Sequence, residues 1–503
     1  MGLRLFNTMG REIQDFVPIQ PGKVGFYGCG PTVYNYAHIG NLRTYVFEDF
    51  LKRTLTYLGY KVKHVMNITD VGHLTSDADD GEDKMEKSAK ATGKSVYEIA
   101  DFYTKAFFND TDRLNIIRPT ISCKATDHIK EMIDLVKTLE ERGYTYESGG
   151  NIYFSIDKFP EYGRLALLDR QSLQAGARIE VDGNKRNPHD FVLWFTKSKF
   201  ENHAMIWDSP WGKGYPGWHL ECSAMSMKYL GKHFDIHCGG IDHIPIHHTN
   251  EIAQSEAATG EKWVNYWLHA EFLVLNKAKM SKSAGNFLTL DRLVEQGYDP
   301  LDYRYFCLGG HYRSQLQFSF ESLDAAKKAR ANLNKAVREL MDRTKPADKA
   351  SMSDAAKKYI EIFTADISDD LNSPRALARI WTLLKDDALS DAEKLALILD
   401  FDRVLGLKLD SVPALPSQDE APADIPAEVQ ALIDQRNQAR KAKDFATADQ
   451  CRAKIKELGY EIKIPRRVQP VKNVTNQEVG CFKLWMIRQK RTFSRRSIRR
   501  SSP

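Results

Sequence analysis

The feature that most constrains the fold is a strand, a glycine-rich loop, a helix and a second strand, all within the first 70 residues. Val24-Gly25-Phe26-Tyr27 is a short apolar run ending in Gly28-Cys29-Gly30-Pro31, the pattern of a strand that enters a tight loop. From about His38 to Leu58, residues Val46, Phe47, Phe50, Leu51, Leu55 and Leu58 recur at helical spacing, with Gly59 placed for a C-cap. Lys61 to Ile68 then alternates as a second strand ending at Thr69-Asp70. Strand, helix and strand in that order predict a right-handed βαβ unit of a parallel sheet.

A chain of 503 residues is too long for one ordinary domain. No apolar run approaches the roughly 20 residues of a membrane span, and the N-terminus lacks the apolar core of a signal peptide. Cysteines 29, 123, 222, 238, 307, 451 and 481 are scattered and odd in number, which predicts free or metal-bound thiols in a reducing cytosol rather than a disulfide framework. The net charge of +5 is not evenly spread. Residues 464–503 hold eleven Lys or Arg against Glu478 alone, a local +10 that leaves the rest at −5. Nucleic-acid binding must therefore be argued from local features, not from the overall charge.

Three motifs carry chemistry. His38-Ile39-Gly40-Asn41 falls at the start of the first helix, where free N–H groups and the helix dipole hold phosphates. A capping or core histidine is the plainer reading of His38 by itself. Lys279-Met280-Ser281-Lys282-Ser283 offers two ammonium groups for charge on a polyphosphate. The near-copy Lys84-Met85-Glu86-Lys87-Ser88 reads as solvated surface, because Glu86 opposes phosphate. Gly93-Lys94-Ser95 mimics the end of a P-loop, but position 88 is Ser where the motif needs Gly.

The third motif is a metal-ligand set. His247 and Glu251 lie four apart, on one helix face. With Cys29 and Cys222 they make a plausible zinc set. Cys222, Cys238, His243 and His247 make another, and spacing alone does not choose between them.

The first two motifs, some 240 residues apart and in this order, resemble the two signatures of class I aminoacyl-tRNA synthetases. Asn41 stands where the common form has a second His. Cys29 to Tyr34 with His38 to Gly40, Gly217 to Met225, Cys238 to Glu251 and Lys279 to Asn286 together resemble the cysteinyl-tRNA synthetase family, over nearly the whole chain up to about Ile462. The resemblance implies an α/β fold: a Rossmann-type parallel-sheet catalytic domain with a connective insertion, then an α-helical bundle and a small C-terminal domain. It implies zinc on Cys29, Cys222, His247 and Glu251, with the substrate's sulfur bound to that zinc. Cys29, Thr69 and Trp218 would line the amino-acid pocket. His38, Gly40, Asn41 and Lys282 would contact ATP, carried with Mg²⁺, and His38, Asn41, Lys279 and Lys282 would be catalytic. The implied partners are tRNA(Cys), ATP and L-cysteine, for a monomer in the cytoplasm.

The expected division is 1–116 and 217–275 for the two catalytic halves, 117–216 for the insertion and 276–319 for the signature loop. The helical bundle follows at 320–410, then a Pro-rich linker and anticodon-end domain at 411–463. The basic tail at 464–503 departs from the family. It reads either as a disordered RNA-binding extension or as a reading-frame artefact. A rival within enzymes is a cysteine ligase acting on an amino sugar, which lacks the anticodon-end module. A rival outside them is a non-catalytic RNA-binding relative, against which His38, Lys279 and Lys282 argue.

Overall fold

The computed structural model describes residues 2–72, 88–89, 93–168, 183–197, 204–275, 278–279, 288–412, 427–441 and 444–458. An antiparallel hairpin, β1 (Arg4–Asn7) and β2 (Glu12–Asp15), leads into β3 (Lys23–Gly28). Helix α1 (Ile39–Tyr57) and β4 (Lys61–Ile68) follow, and β3 and β4 pair in parallel with Phe26 opposite His64. The predicted βαβ unit is present.

Helix α2 (Val96–Arg113) starts at Ser95, whose side chain caps it in a box with Glu98. Ser95 is thus a helix cap rather than part of a phosphate loop. Strand β5 (Ile121–Lys124) joins the central sheet beside β4, although it lies in the stretch expected for the insertion. Four residues carry too short a pattern to be read as a sheet strand. Helix α3 (Ile129–Glu141) follows, then a four-stranded antiparallel sheet of β6 (Thr145–Ser148), β7 (Asn151–Phe154), β8 (Phe191–Phe195) and β9 (Tyr215–Pro216).

The chain then returns through α4 (Trp218–Leu230), β10 (Phe234–Gly240), α5 (His247–Thr259) and β11 (Val264–Ala270). The central sheet runs β11-β10-β3-β4-β5, all parallel. This is the doubly wound order, and its direction reverses between β3 and β10. Ligands of such sheets sit at that reversal, beyond the carboxyl ends of the strands.

A second, three-stranded sheet joins β12 (Leu273–Leu275), β13 (Ala278–Lys279) and β14 (Leu316–Phe318), in the order β13-β12-β14. Between β13 and β14 lie α6 (Leu290–Glu295) and α7 (Pro300–Leu308). Four helices follow: α8 (Phe320–Arg343), α9 (Asp354–Ser368), α10 (Ser373–Leu384) and α11 (Asp391–Leu405). Asn372 is the N-cap of α10, its side chain accepting from Arg375 N at 3.1 Å, and Pro374 sits in the first turn. Asn372 and Ser373 are both good capping types, and the earlier one reaches the free N–H.

Helix α1 packs against both α7 and α11, so it is buried on the sheet side and the bundle side alike. Its charged residues act as fasteners inside that sandwich. Asp49 accepts from Arg53 Nε at 2.7 Å, from fully buried Arg304 at 2.6 Å and from Ile117 N at 2.8 Å. The guanidinium of Arg304 also donates to the carbonyl oxygens of Leu405 and Leu114. A buried pair of this kind is costly to break from one side.

The described residues after 416 belong to a separate unit. Its helices α12 (Ala427–Lys441) and α13 (Phe445–Glu457) pack on each other, burying Val429, Ala448, Cys451 and Ile455. The expected linker, except 411–412, and the basic tail lie outside the described residues.

Candidate active site

Cys29 follows β3 directly, at the point where the sheet order reverses, and its N–H donates to Cys238 O on β10 at 3.1 Å. Gly30 lets this loop cross close above β4. A Cβ there would stand 1.7 Å from Asn67 O, and Gly30 N donates to Asn67 Oδ1 at 2.8 Å. Helix α4 brings Cys222 to the same crevice, and α5 brings His247 and Glu251 one turn apart.

One ligand atom from each of Cys29, Cys222, His247 and Glu251 lies within 4.8 Å of the other three, and all four residues are buried. A second set, Cys29, His237, His248 and Glu251, meets the same test. Cys238 joins neither. It is buried on the other face of the sheet, in the core that holds Phe26 and Ile236. The alternative set of Cys222, Cys238, His243 and His247 is therefore not assembled.

Several surrounding groups orient these donors. His219 Nδ1 meets His247 Nδ1 at 2.9 Å, which leaves His247 Nε2 facing Glu251. Glu251 Oε2 meets His237 Nε2 at 2.8 Å. Glu251 Oε1 lies 2.7 Å from His247 Nε2 yet out of line for a hydrogen bond, the arrangement of two donors aimed at a common point. His248 Nε2 is 3.3 Å from Cys29 Sγ, and its Nδ1 continues to His269 at 2.8 Å and so to Thr8.

The electrostatics follow from this crowding. The Cys29 thiol, helped by His247, holds the Cys222 thiol below its ordinary value against burial. Burial, with Cys222 beside it, pushes Cys29 well up. Burial alone would raise Glu251, but His247 and His237 outweigh it and hold the carboxyl low. Burial likewise opposes charge on His247, and Glu251 with Cys222 reverses that. Two thiols, an imidazole and a carboxylate in one dry pocket fit a divalent metal ion.

The other expected residues fall around this centre. The Trp218 ring packs against that of His247, tilted by 37° with centroids 4.7 Å apart. Thr69 is buried; its hydroxyl donates to Glu221 Oε2 at 2.9 Å and accepts from Asn67 Nδ2. His38 is the N-cap of α1. Its Nδ1 accepts from Asn41 N at 3.0 Å while Asn41 Oδ1 accepts from His38 N at 3.3 Å, closing a capping box. The capping reading of His38 is thus realised, through its Nδ1. Gly40 gives the His38 ring its room, since a Cβ there would meet ring atoms at 3.0 Å. Lys279 ends β13, placed there by its backbone, and Lys282 lies outside the described residues. So do Lys84, Met85, Glu86 and Lys87.

His219, His237, His248, His269, Asn67 and Glu221 were not anticipated. The doubled His247-His248 was a visible signal. His237 and His269 come together only through the pairing of β10 with β11, where His237 faces Trp267 and Gly239 faces His269.

Residues 15–328 match the family described as tRNA synthetases class I (C) catalytic domain, and residues 423–467 match the cysteinyl-tRNA ligase anticodon binding domain. The methionyl-tRNA synthetase of Mycobacterium tuberculosis bound by methionyl-adenylate shares the fold, with a TM-score of 0.53 at 15% identity, over 85% of this chain and 96% of that one. The fold and the matched pattern define a class I aminoacyl-tRNA synthetase. The cysteine–tRNA ligase of Treponema denticola is 56% identical over 477 residues, covering 91% of this chain and 97% of the relative. Cysteine–tRNA ligase 1 of Burkholderia lata is 50% identical over 463 residues, covering 92% and 95%. The chain belongs to the cysteine–tRNA ligase family, enzymes that use ATP to join cysteine to tRNA. Among the described residues no helix is long and apolar enough to cross a membrane.

Proposed function

We propose that Cys29, Cys222, His247 and Glu251 hold a zinc ion that selects L-cysteine, and that the chain charges tRNA(Cys) through cysteinyl-adenylate. The observation that carries this reading is the meeting of four buried donors at the reversal point of the sheet. Cysteine differs from serine by one atom, and a pocket gains only about 1–3 kcal/mol from so small a difference. Zn²⁺ supplies a soft Lewis acid that takes a thiolate strongly and a hydroxyl weakly.

The chain's own residues do the rest. Cys29, Thr69 and Trp218 line the amino-acid pocket, and His219 and His237 orient the donors. The N-terminus of α1 faces the polyphosphate of ATP with Gly40 and Asn41. His38 presents Nε2 to it, and Lys279 and Lys282 bring positive charge to the same group, carried with Mg²⁺. The cysteine carboxylate attacks the α-phosphate in line and pyrophosphate leaves; the terminal ribose hydroxyl of tRNA then attacks the activated carbonyl, loses its proton, and AMP leaves as the acyl–phosphate bond breaks. Positioning and electrostatics supply the rate, with no protein nucleophile.

We assign the helices at 320–410 to the tRNA body and the segment at 411–463 to the anticodon end, in a monomeric cytoplasmic enzyme. Aminoacylation with labelled cysteine and labelled serine, before and after Cys29→Ala, tests the reading. Cysteine charging that disappears together with bound zinc supports it. Cysteine charging that persists in a zinc-free variant, with serine still refused, overturns it.

A further inference from the structure

Arg43 sits on the second turn of α1, five residues after His38, and is 3% exposed. Its guanidinium meets no carboxylate at hydrogen-bond distance among the described residues. It is satisfied by four main-chain carbonyl oxygens: Glu271 at 2.7 Å and Phe272 at 2.6 Å from Nη1, and Ser314 at 2.5 Å and His311 at 3.2 Å from Nη2. A buried cation is tolerated only where such a set is complete.

The four carbonyls come from two places with one meaning. Glu271 and Phe272 immediately precede β12, and His311 and Ser314 precede β14. Strand β12 pairs antiparallel with β13, setting Val274 opposite Lys279, and in parallel with β14. Arg43 therefore grips the roots of both long strands of the sheet on which the second signature begins. The far end of that signature segment also returns to α1: Ile39 N donates to Leu288 O at 2.8 Å, and His38 bridges to Thr289. Tyr303 adds a hydrogen bond to Ile39 O at 2.6 Å.

We propose that Arg43 is a positioning residue for adenylate formation, setting the small sheet that carries Lys279, where the second signature begins, in register with His38 and Asn41. The inference rests on the proposed role toward ATP of those residues and of Lys282 in the same signature. The planar fork suits four carbonyls in a way that an ammonium group does not. A displacement of about 1 Å at such a site costs on the order of 10²-fold in rate.

The test is cysteine-dependent ATP–pyrophosphate exchange in the full-length, zinc-loaded enzyme for Arg43→Lys, Lys282→Ala and the double variant. Arg43→Lys is expected to lower kcat about 10²-fold with an altered KM for ATP. Its KM for cysteine and its zinc content should stay unchanged, because the thiol donors lie on the opposite face of the sheet. In the double variant the two losses should be far from additive, since one residue acts through the other. Arg43→Gln, which removes the buried charge and keeps two N–H donors, serves if the lysine form does not fold. A kcat within about threefold of the parent overturns the proposal, as do additive losses or parallel loss of zinc and cysteine binding. Failure of both variants to fold overturns it too, marking the residue as structural only. If Lys282→Ala itself leaves exchange intact, the reading of the second signature fails, a result distinct from failure of Arg43 alone.

Discussion

Under α4 and α5, the face of the central sheet that carries Tyr27 and His237 sets its buried carboxylate, Glu251, between two histidines; under α1, the face that carries Phe26 and His64 leaves its buried carboxylate, Glu48, without a hydrogen-bond partner among the described residues. On the first face Glu251 is fully buried and is held ionised between His237 and His247. On the second, neither carboxylate oxygen of Glu48 and neither ring nitrogen of His64 has a hydrogen-bond partner among the described residues. Burial pushes Glu48 well above the usual carboxylate range and pushes His64 down to about 3, so both stay neutral. His64 stacks flat on Phe26 at 4.2 Å and behaves as an aromatic core residue. The two faces are one strand-thickness apart, so depth does not separate them. The difference is whether charge is organised around a point or suppressed, and organised buried charge is the mark of a site.

This contrast can be broken most severely on the first face. Cys222→Ala should bring bound zinc to about a tenth or less per chain and collapse the cysteine-to-serine ratio of kcat/KM into the roughly 10–200-fold range of an apolar pocket. Metal analysis and steady-state exchange measure both. Glu251→Gln removes the charge while keeping the shape, and should weaken zinc at least about 10–100-fold, read by competition with a chromophoric chelator. The matching change on the second face, Glu48→Gln, should do the reverse and raise stability at pH 7 by about 1 kcal/mol. Because the folded carboxyl titrates above its unfolded value, that gain should vanish below about pH 4, where both states are protonated.

His64→Phe is the smallest effect. The folded imidazole titrates near 3 against an ordinary 6.5, so its contribution is complete above pH 6.5 and is lost as pH falls toward 3. The variant should therefore be better than the parent by about 0.8 kcal/mol at pH 6, relative to their difference at pH 8, in urea denaturation. Equal pH profiles would place a partner on His64 and weaken the comparison.

The amino-acid sequence makes one side of this molecule far more readable than the other. Glycine punctuation and 3.6-residue periodicity give β3, α1 and β4 nearly to the residue, and the four-residue spacing of His247 and Glu251 points to a shared helix face. Parallel strand register is not written in local pattern, so His237 and His269 gave no sign that they would border the same crevice. Nothing in the local pattern of α1 shows that Arg43, Glu48, Asp49, Lys52 and Arg53 are all buried, because it is the later helical bundle that covers the side that would otherwise face water. Strand β5 was lost for a different reason: its four residues are too few to show an alternating pattern.

The central claim is that the buried thiol, imidazole and carboxylate cluster takes a metal which in turn takes the substrate's sulfur. Cobalt(II) substitution tests it in one titration, because each thiolate on Co²⁺ adds ligand-to-metal charge-transfer absorption in the near ultraviolet. The account predicts bands of two thiolates in the cobalt enzyme, from Cys29 and Cys222, rising by about one half with saturating L-cysteine and unchanged with L-serine. A spectrum that ignores cysteine, or that responds equally to serine, would contradict it.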